Sequence, residues 1–169
     1  FFGTVLVAAA LSGIVPVGLN PTRRGEALLR DIAHADCQLV LADRENSQDA
    51  VASIDVESPQ FRDELAAHAD AAVSFRSADP DDLFMLIFTS GTSGDPKAVK
   101  MMHAMVVLAG AALTDRFELT PDDVCYLSMP LFHSNGILAG WSVALNSGAA
   151  MAPAPFSASR FLDDIRGYG

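Results

Sequence analysis

The 169 residues are 50% hydrophobic with a formal net charge of −10, a pI near 4.6 and a mean hydropathy of +0.27. That apolar content excludes a disordered chain, and the length is sufficient to bury one domain core. Acidity without a basic stripe argues against nucleic acid as a partner, but not against a nucleotide triphosphate, whose phosphates respond to local N–H dipoles and a single lysine rather than to global charge.

Residues 1–19 carry no charge. Gly13, Pro16 and Gly18 interrupt the run, and it has neither a basic n-region nor a small-residue cleavage site, which argues against a membrane span or a signal peptide. An Ala-rich buried helix to about Leu11 and a short core strand over residues 14–17 account for the same residues. Helical spacing of Ala27, Leu28 and Ile32 predicts a helix over 25–33, and residues 38–41 read as the next buried strand. Residues 43–58 are polar and irregular, a surface loop. Ser58 followed by Pro59 then supplies an N-cap and a first-turn proline for a helix to about His68.

The Ala-Asp-Pro-Asp-Asp run at 78–82 is a turn that divides the chain into portions of two α/β subdomains, 1–78 and 79–169. A strand over 83–88 follows, then a helix over 101–117, a turn at 120–123, a strand over 124–129 and a loop over 130–136. A helix over 137–145, a strand near 149–152 and a helix capped by Ser157 complete the pattern. Alternating helices and strands predict an α/β fold with partly parallel strands, whose functional loops follow strand ends. Cys37 and Cys125 lie far apart with no C-x-x-C pair, so they read as inert small hydrophobes in a reducing compartment. His34, His68, His103 and His133 are scattered too widely for a zinc site. Arg23 and Arg24 read as solvated, Trp141 as a core anchor, and His103 as a helix-start residue bonded to backbone.

The most informative stretch is Leu86-Ile87-Phe88-Thr89-Ser90-Gly91-Thr92-Ser93-Gly94-Asp95-Pro96-Lys97. A buried strand empties into glycines and small hydroxyls, and the loop ends in one lysine. Glycines let backbone N–H groups converge into an anion-binding nest, and the hydroxyls add donors with little bulk. A Walker loop needs lysine directly after glycine at a helix start. Here Pro96 precedes Lys97 and Ala98 follows it, so the chain leaves the loop extended. Gly91-Thr92-Ser93-Gly94 is one residue too short for a hydrolase nucleophile elbow. A flexible linker would not need the buried strand before it.

This loop resembles the signature of the adenylate-forming (AMP-binding) enzymes, which include acyl-CoA synthetases, luciferases and peptide-synthetase adenylation domains. Two further segments are similar to family elements: Met129-Pro130-Leu131-Phe132-His133-Ser134-Asn135-Gly136, and Gly13-Ile14-Val15-Pro16-Val17-Gly18-Leu19-Asn20-Pro21. Ala98 after the lysine, the Leu19-to-Arg24 patch and Phe156-Ser157-Ala158-Ser159-Arg160-Phe161 most resemble the very-long-chain acyl-CoA synthetase and fatty acid transport protein branch. The resemblance implies part of the large N-terminal domain, a layered αβαβα arrangement with partly parallel sheets, and a missing C-terminal lid. It further implies ATP, Mg²⁺ and coenzyme A as cofactor and co-substrates and a fatty acid as substrate. Ser90, Gly91, Thr92, Ser93 and Gly94 would hold the β- and γ-phosphates, Lys97 would neutralise phosphate or loop charge, and Thr89 would help ligate Mg²⁺. His133 would lie beside the acyl and α-phosphate groups.

The chain begins with Phe1 and is read as an internal fragment, inactive alone, of a long- or very-long-chain fatty acid–CoA ligase. The expected setting is cytoplasmic and compatible with peripheral membrane association. An aryl-CoA ligase, a peptide-synthetase adenylation domain and a non-catalytic nucleotide- or fatty-acid-binding paralogue are the alternatives.

Overall fold

The computed structural model describes residues 1–46, 53–89 and 96–168. Backbone packing separates two compact units, Phe1–Gly18 with Arg76–Gly169, and Leu19–Phe75. The sequence places a division at 78/79, but residues 1–18 pack with the later unit. A two-residue parallel pairing and a backbone bond from Arg76 N–H to the Leu11 carbonyl, 2.9 Å, tie them there.

In the unit Leu19–Phe75, helix α2 (Gly25–His34) buries Leu28, Asp31 and Ile32 along one stripe. Leu28 and Ile32 meet Val40 of strand β2 (Val40–Ala42), with Leu19, Leu29 and Cys37 around them. Asp31 would be a costly occupant of that stripe alone; Arg23 compensates it, with Nε 2.5 Å and Nη2 3.1 Å from the carboxylate. The solvated reading of Arg23 is therefore corrected. Strand β3 (Ser53–Asp55) pairs parallel with β2 inside what the sequence reads as loop, because three residues are too few to show a period of two. Helix α3 (Pro59–Ala67) starts as expected: the Ser58 hydroxyl accepts from Phe61 N–H at 3.1 Å, a cap of about 1 kcal/mol.

In the other unit, α1 (Phe2–Ser12) buries only Leu6 and Ala9 and ends at Gly13, whose φ of 77° is left-handed. The following strand, β1, contracts to Val17–Gly18, and Ile14 is exposed. β1 runs parallel to β4 (Leu83–Thr89), which pairs antiparallel with β5 (Lys97–Met102). Residues 101 and 102, expected in a helix, belong to this strand; helix α4 is His103–Arg116. Apolar character at 101–108, interrupted only by His103, hides the change of period.

Strands β6 (Val124–Leu127) and β7 (Ala150–Pro153) form a second parallel pair in this unit. Between them run a short α5 (Ser134–Gly136), a π-helical turn (Ile137–Trp141) and α6 (Ser142–Ser147). The closing helix, α7 (Phe161–Tyr168), begins four residues beyond Ser157, which instead closes a turn by accepting from Arg160 N–H at 3.0 Å. Leu6, Phe84, Met85, Ile87, Met101, Val106, Ile137 and Trp141 form one buried cluster. Trp141 stacks on Phe84 at 5.7 Å, so the strand that leads to the glycine loop and the helix after His133 share one core. Burying a side chain of this size is worth about 1.5–3 kcal/mol.

Candidate active site

Two chain segments carry the expected functional residues, and both leave strand ends. β4 delivers Thr89 and β5 begins at Lys97, and these two are cross-strand partners in a hairpin. The Thr89 hydroxyl lies 3.5 Å from the Lys97 carbonyl oxygen. Both residues are exposed at the loop end of the hairpin. Extended chain after Pro96 is what the proline predicts, and it separates this loop from one that wraps onto a helix. Ser90, Gly91, Thr92, Ser93 and Gly94 lie outside the described residues.

The second segment is the turn after β6. His133 N–H donates to the Pro130 carbonyl at 3.0 Å, and the His133 carbonyl accepts from Ile137 N–H at 3.2 Å, which launches the following helix. The His133 ring is exposed and lies 4.6 Å from the Phe132 ring. Gly136 is buried behind it, and a Cβ there would fall 2.3 Å from the Pro130 carbonyl oxygen. Gly18, at the end of β1, is the register partner of Ile87 and lies against the backbone of Phe132. The sequence resemblance takes in Phe132, His133 and Gly136 in one segment and Gly18 in another, with nothing to show that they meet; a glycine at a strand end carries no signal of what faces it.

The remaining chemistry is quiet. Burial first, and Asp36 second, push the Cys37 thiol up; burial and then Asp123 do the same to Cys125. Both thiols are therefore poor nucleophiles at neutral pH. The Thr120 N–H and hydroxyl, at 2.7 and 2.9 Å, hold the Asp123 carboxyl below its ordinary range in the turn that precedes β6. A cavity of about 220 Å³ lies at the Leu83 end of β4, lined in part by His103 and by Arg76, which pairs with Asp82 at 3.2 Å. His103 opens α4, its N–H donates to the Asp82 carbonyl at 3.1 Å, and its ring meets Phe84 edge-on. Among the described residues no cluster of three His, Cys, Asp or Glu could hold a metal ion, and no helix is long and apolar enough to cross a membrane. A Mg²⁺ here would need oxygen ligands, to which Thr89 can add one hydroxyl while phosphates and water supply others.

The arrangement defines an α/β domain with loops at strand ends, and its fold is that of the N-terminal domains of adenylate-forming enzymes. o-Succinylbenzoate CoA synthetase (MenE) from Bacillus subtilis, solved in complex with the acyl-adenylate intermediate OSB-AMP, superposes with a TM-score of 0.81 at 24% identity, covering 99% of this chain and 44% of that one. In sequence, the medium/long-chain-fatty-acid–CoA ligase FadD17 of Mycobacterium tuberculosis is 62% identical over all of this chain and 34% of its own length. Steroid-22-oyl-CoA synthetase of Rhodococcus jostii is 39% identical over 97% of this chain and 32% of its own. The profile of the AMP-binding enzyme family matches residues 2–169, and the chain belongs to that family. It spans about a third of the length of the curated relatives it matches.

Proposed function

We propose that these residues form the triphosphate-gripping portion of an ATP-dependent fatty acid–CoA ligase. In the first half-reaction a fatty carboxylate attacks the α-phosphorus of ATP and pyrophosphate leaves. In the second, the thiol of coenzyme A displaces AMP from the acyl-adenylate. An anionic nucleophile must approach an anionic phosphate, so alignment and donors aimed at the leaving group carry most of the rate.

The observation that carries this reading is the Thr-Ser-Gly-Thr-Ser-Gly-Asp-Pro-Lys sequence spanning a hairpin whose two ends, Thr89 and Lys97, are cross-strand partners. In the reading, Ser90, Gly91, Thr92, Ser93 and Gly94 hold the β- and γ-phosphates, and Lys97 brings a positive charge to them. Thr89 offers Mg²⁺ one oxygen, and His133 donates to the carboxylate or the α-phosphate. No segment of the 169 residues resembles the family's adenine-binding, ribose-binding, hinge or catalytic-lysine elements. On that basis the segment alone is proposed to be inactive. Unpaired Cys37 and Cys125 support a reducing, cytoplasmic setting.

The acyl group is proposed to be a long fatty chain, supported by the name of the 62% identical relative. A second reading, a steroid carboxylic acid, is supported by the 39% identical relative. ATP–pyrophosphate exchange tests both in a full-length protein that carries these residues. Exchange driven by medium- and long-chain fatty acids is the expected result. Exchange driven only by a steroid, aryl or amino acid would replace the substrate, and no exchange with any acid would remove the ligase reading.

A further inference from the structure

Gly18 stands where three structural features meet. It ends β1, it is in register with Ile87 two residues before Thr89, and it lies against the turn that carries His133. Its position is buried. A Cβ built there would come within 3.0 Å of Phe132 Cα, 3.2 Å of Phe132 Cβ and 3.3 Å of the Phe132 carbonyl oxygen. Only one of these atoms belongs to a side chain, and it is the one bonded directly to the backbone. No rotamer change can therefore relieve the contact, and the Phe132–His133 backbone itself would have to move by a few tenths of an ångström.

The turn has little freedom to absorb such a move elsewhere. Its far side is closed by Gly136, which abuts the Pro130 carbonyl, and by the bonds from His133 N–H to Pro130 and from Ile137 N–H to His133. The residue after Gly136 begins a helix whose Ile137 and Trp141 are locked in the core. Displacement at Phe132 thus passes to His133, the next residue along the chain, whose ring is exposed.

We infer that Gly18 is a positioning residue: the absence of a side chain at the end of β1 sets how close the His133 turn sits to the strand that delivers Thr89. This inference rests on the assignment of His133 to the acyl-adenylate site. It predicts a defect mainly in use of the acid, because the acid is met by His133, whereas ATP is held chiefly through its β- and γ-phosphates by the hairpin. Gly18 also keeps φ outside the left-handed region, so alanine there is strained only by the contact and not by its backbone conformation.

The test is a double-mutant cycle in a full-length protein carrying these residues, read by ATP–pyrophosphate exchange with a fatty acid and accompanied by thermal melting. Gly18→Ala is expected to lower kcat/KM for the acid about three- to tenfold, as a displacement well under 1 Å should, with KM for ATP changed by less than about twofold. In a His133→Ala background the same substitution is expected to have almost no further effect, because its route to the substrate has been removed. Equal losses in both backgrounds, or a matching rise in KM for ATP, would overturn the positioning role. So would a Gly18→Ala protein that fails to fold, since Gly18 would then serve the scaffold. Full exchange activity in His133→Ala alone would remove the site assignment for His133, and the inference with it, while leaving the ligase reading intact.

Discussion

Replacing Gly136 by alanine places a methyl carbon 2.3 Å from the carbonyl oxygen of Pro130 and 2.8 Å from its carbonyl carbon. Both atoms are backbone, so the turn over residues 130–136 must open by about 0.7 Å to restore even a 3.0 Å approach. Overpacking of this kind costs about 1–3 kcal/mol, and backbone obstacles favour the upper part of that range. Gly136 is right-handed helical, with φ −59° and ψ −38°, where alanine is favoured over glycine by about 1 kcal/mol. The two effects have opposite signs, and a net loss of about 1–2 kcal/mol is expected. Urea unfolding followed by the fluorescence of Trp141, the single tryptophan, measures it. Gly167→Ala is the internal control: a Cβ there meets nothing within 4 Å on helix α7, so the same exchange should stabilise. If Gly136→Ala raised the midpoint as Gly167→Ala does, the turn would not be clamped and the steric reasoning about His133 would fail.

Arg23→Met should destabilise by about 2 kcal/mol, short of the ~3–5 kcal/mol of a fully enclosed pair because the Arg23 side chain is 31% exposed; adding Asp31→Leu should recover most of the loss, and failure to recover would show that the pair does more than neutralise a buried charge. Asp123 has a depressed carboxyl pKa, so its stabilising contribution is present above the unfolded value of about 4 and is lost as pH falls through the lower folded value. Denaturation midpoints of Asp123→Asn should accordingly depend less on pH in that acid window than those of the wild type, and identical profiles would refute the assignment. In a full-length protein Lys97→Ala should lower kcat/KM for ATP in adenylation by about 10–100-fold with little change in melting temperature, since Lys97 is exposed; unfolding instead would make the lysine structural.

The sequence was informative where one residue type leaves few alternatives. Ser58-Pro59 marks a helix start, Pro96 an extended exit from the glycine loop, and Trp141 a core anchor; the structure places each accordingly. It was uninformative where the signal depends on a partner distant in sequence. β5 is hidden because Met101 and Met102 share their apolar character with the first turns of α4, where His103 alone is polar. β3 is visible only through its pairing with β2, and Ser157 offers a cap that the chain uses for a turn. Arg23 reads as solvated in the sequence because nothing in Arg-Arg indicates that Asp31, eight residues on, faces inward. The candidate site divides in the same way: Thr89, Lys97 and His133 are proposed from the resemblance of their motifs, whereas the role proposed for Gly18 depends on a neighbour more than a hundred residues away.

The central claim is that the β4–β5 hairpin grips the tail of ATP. Hydrogen exchange of a full-length protein carrying these residues, with and without ATP and Mg²⁺, tests it most directly. Slowed exchange of the amides at 89–97 on adding nucleotide is the expected result. Nucleotide that binds, protects amides elsewhere and leaves 89–97 exchanging at the unliganded rate would contradict it.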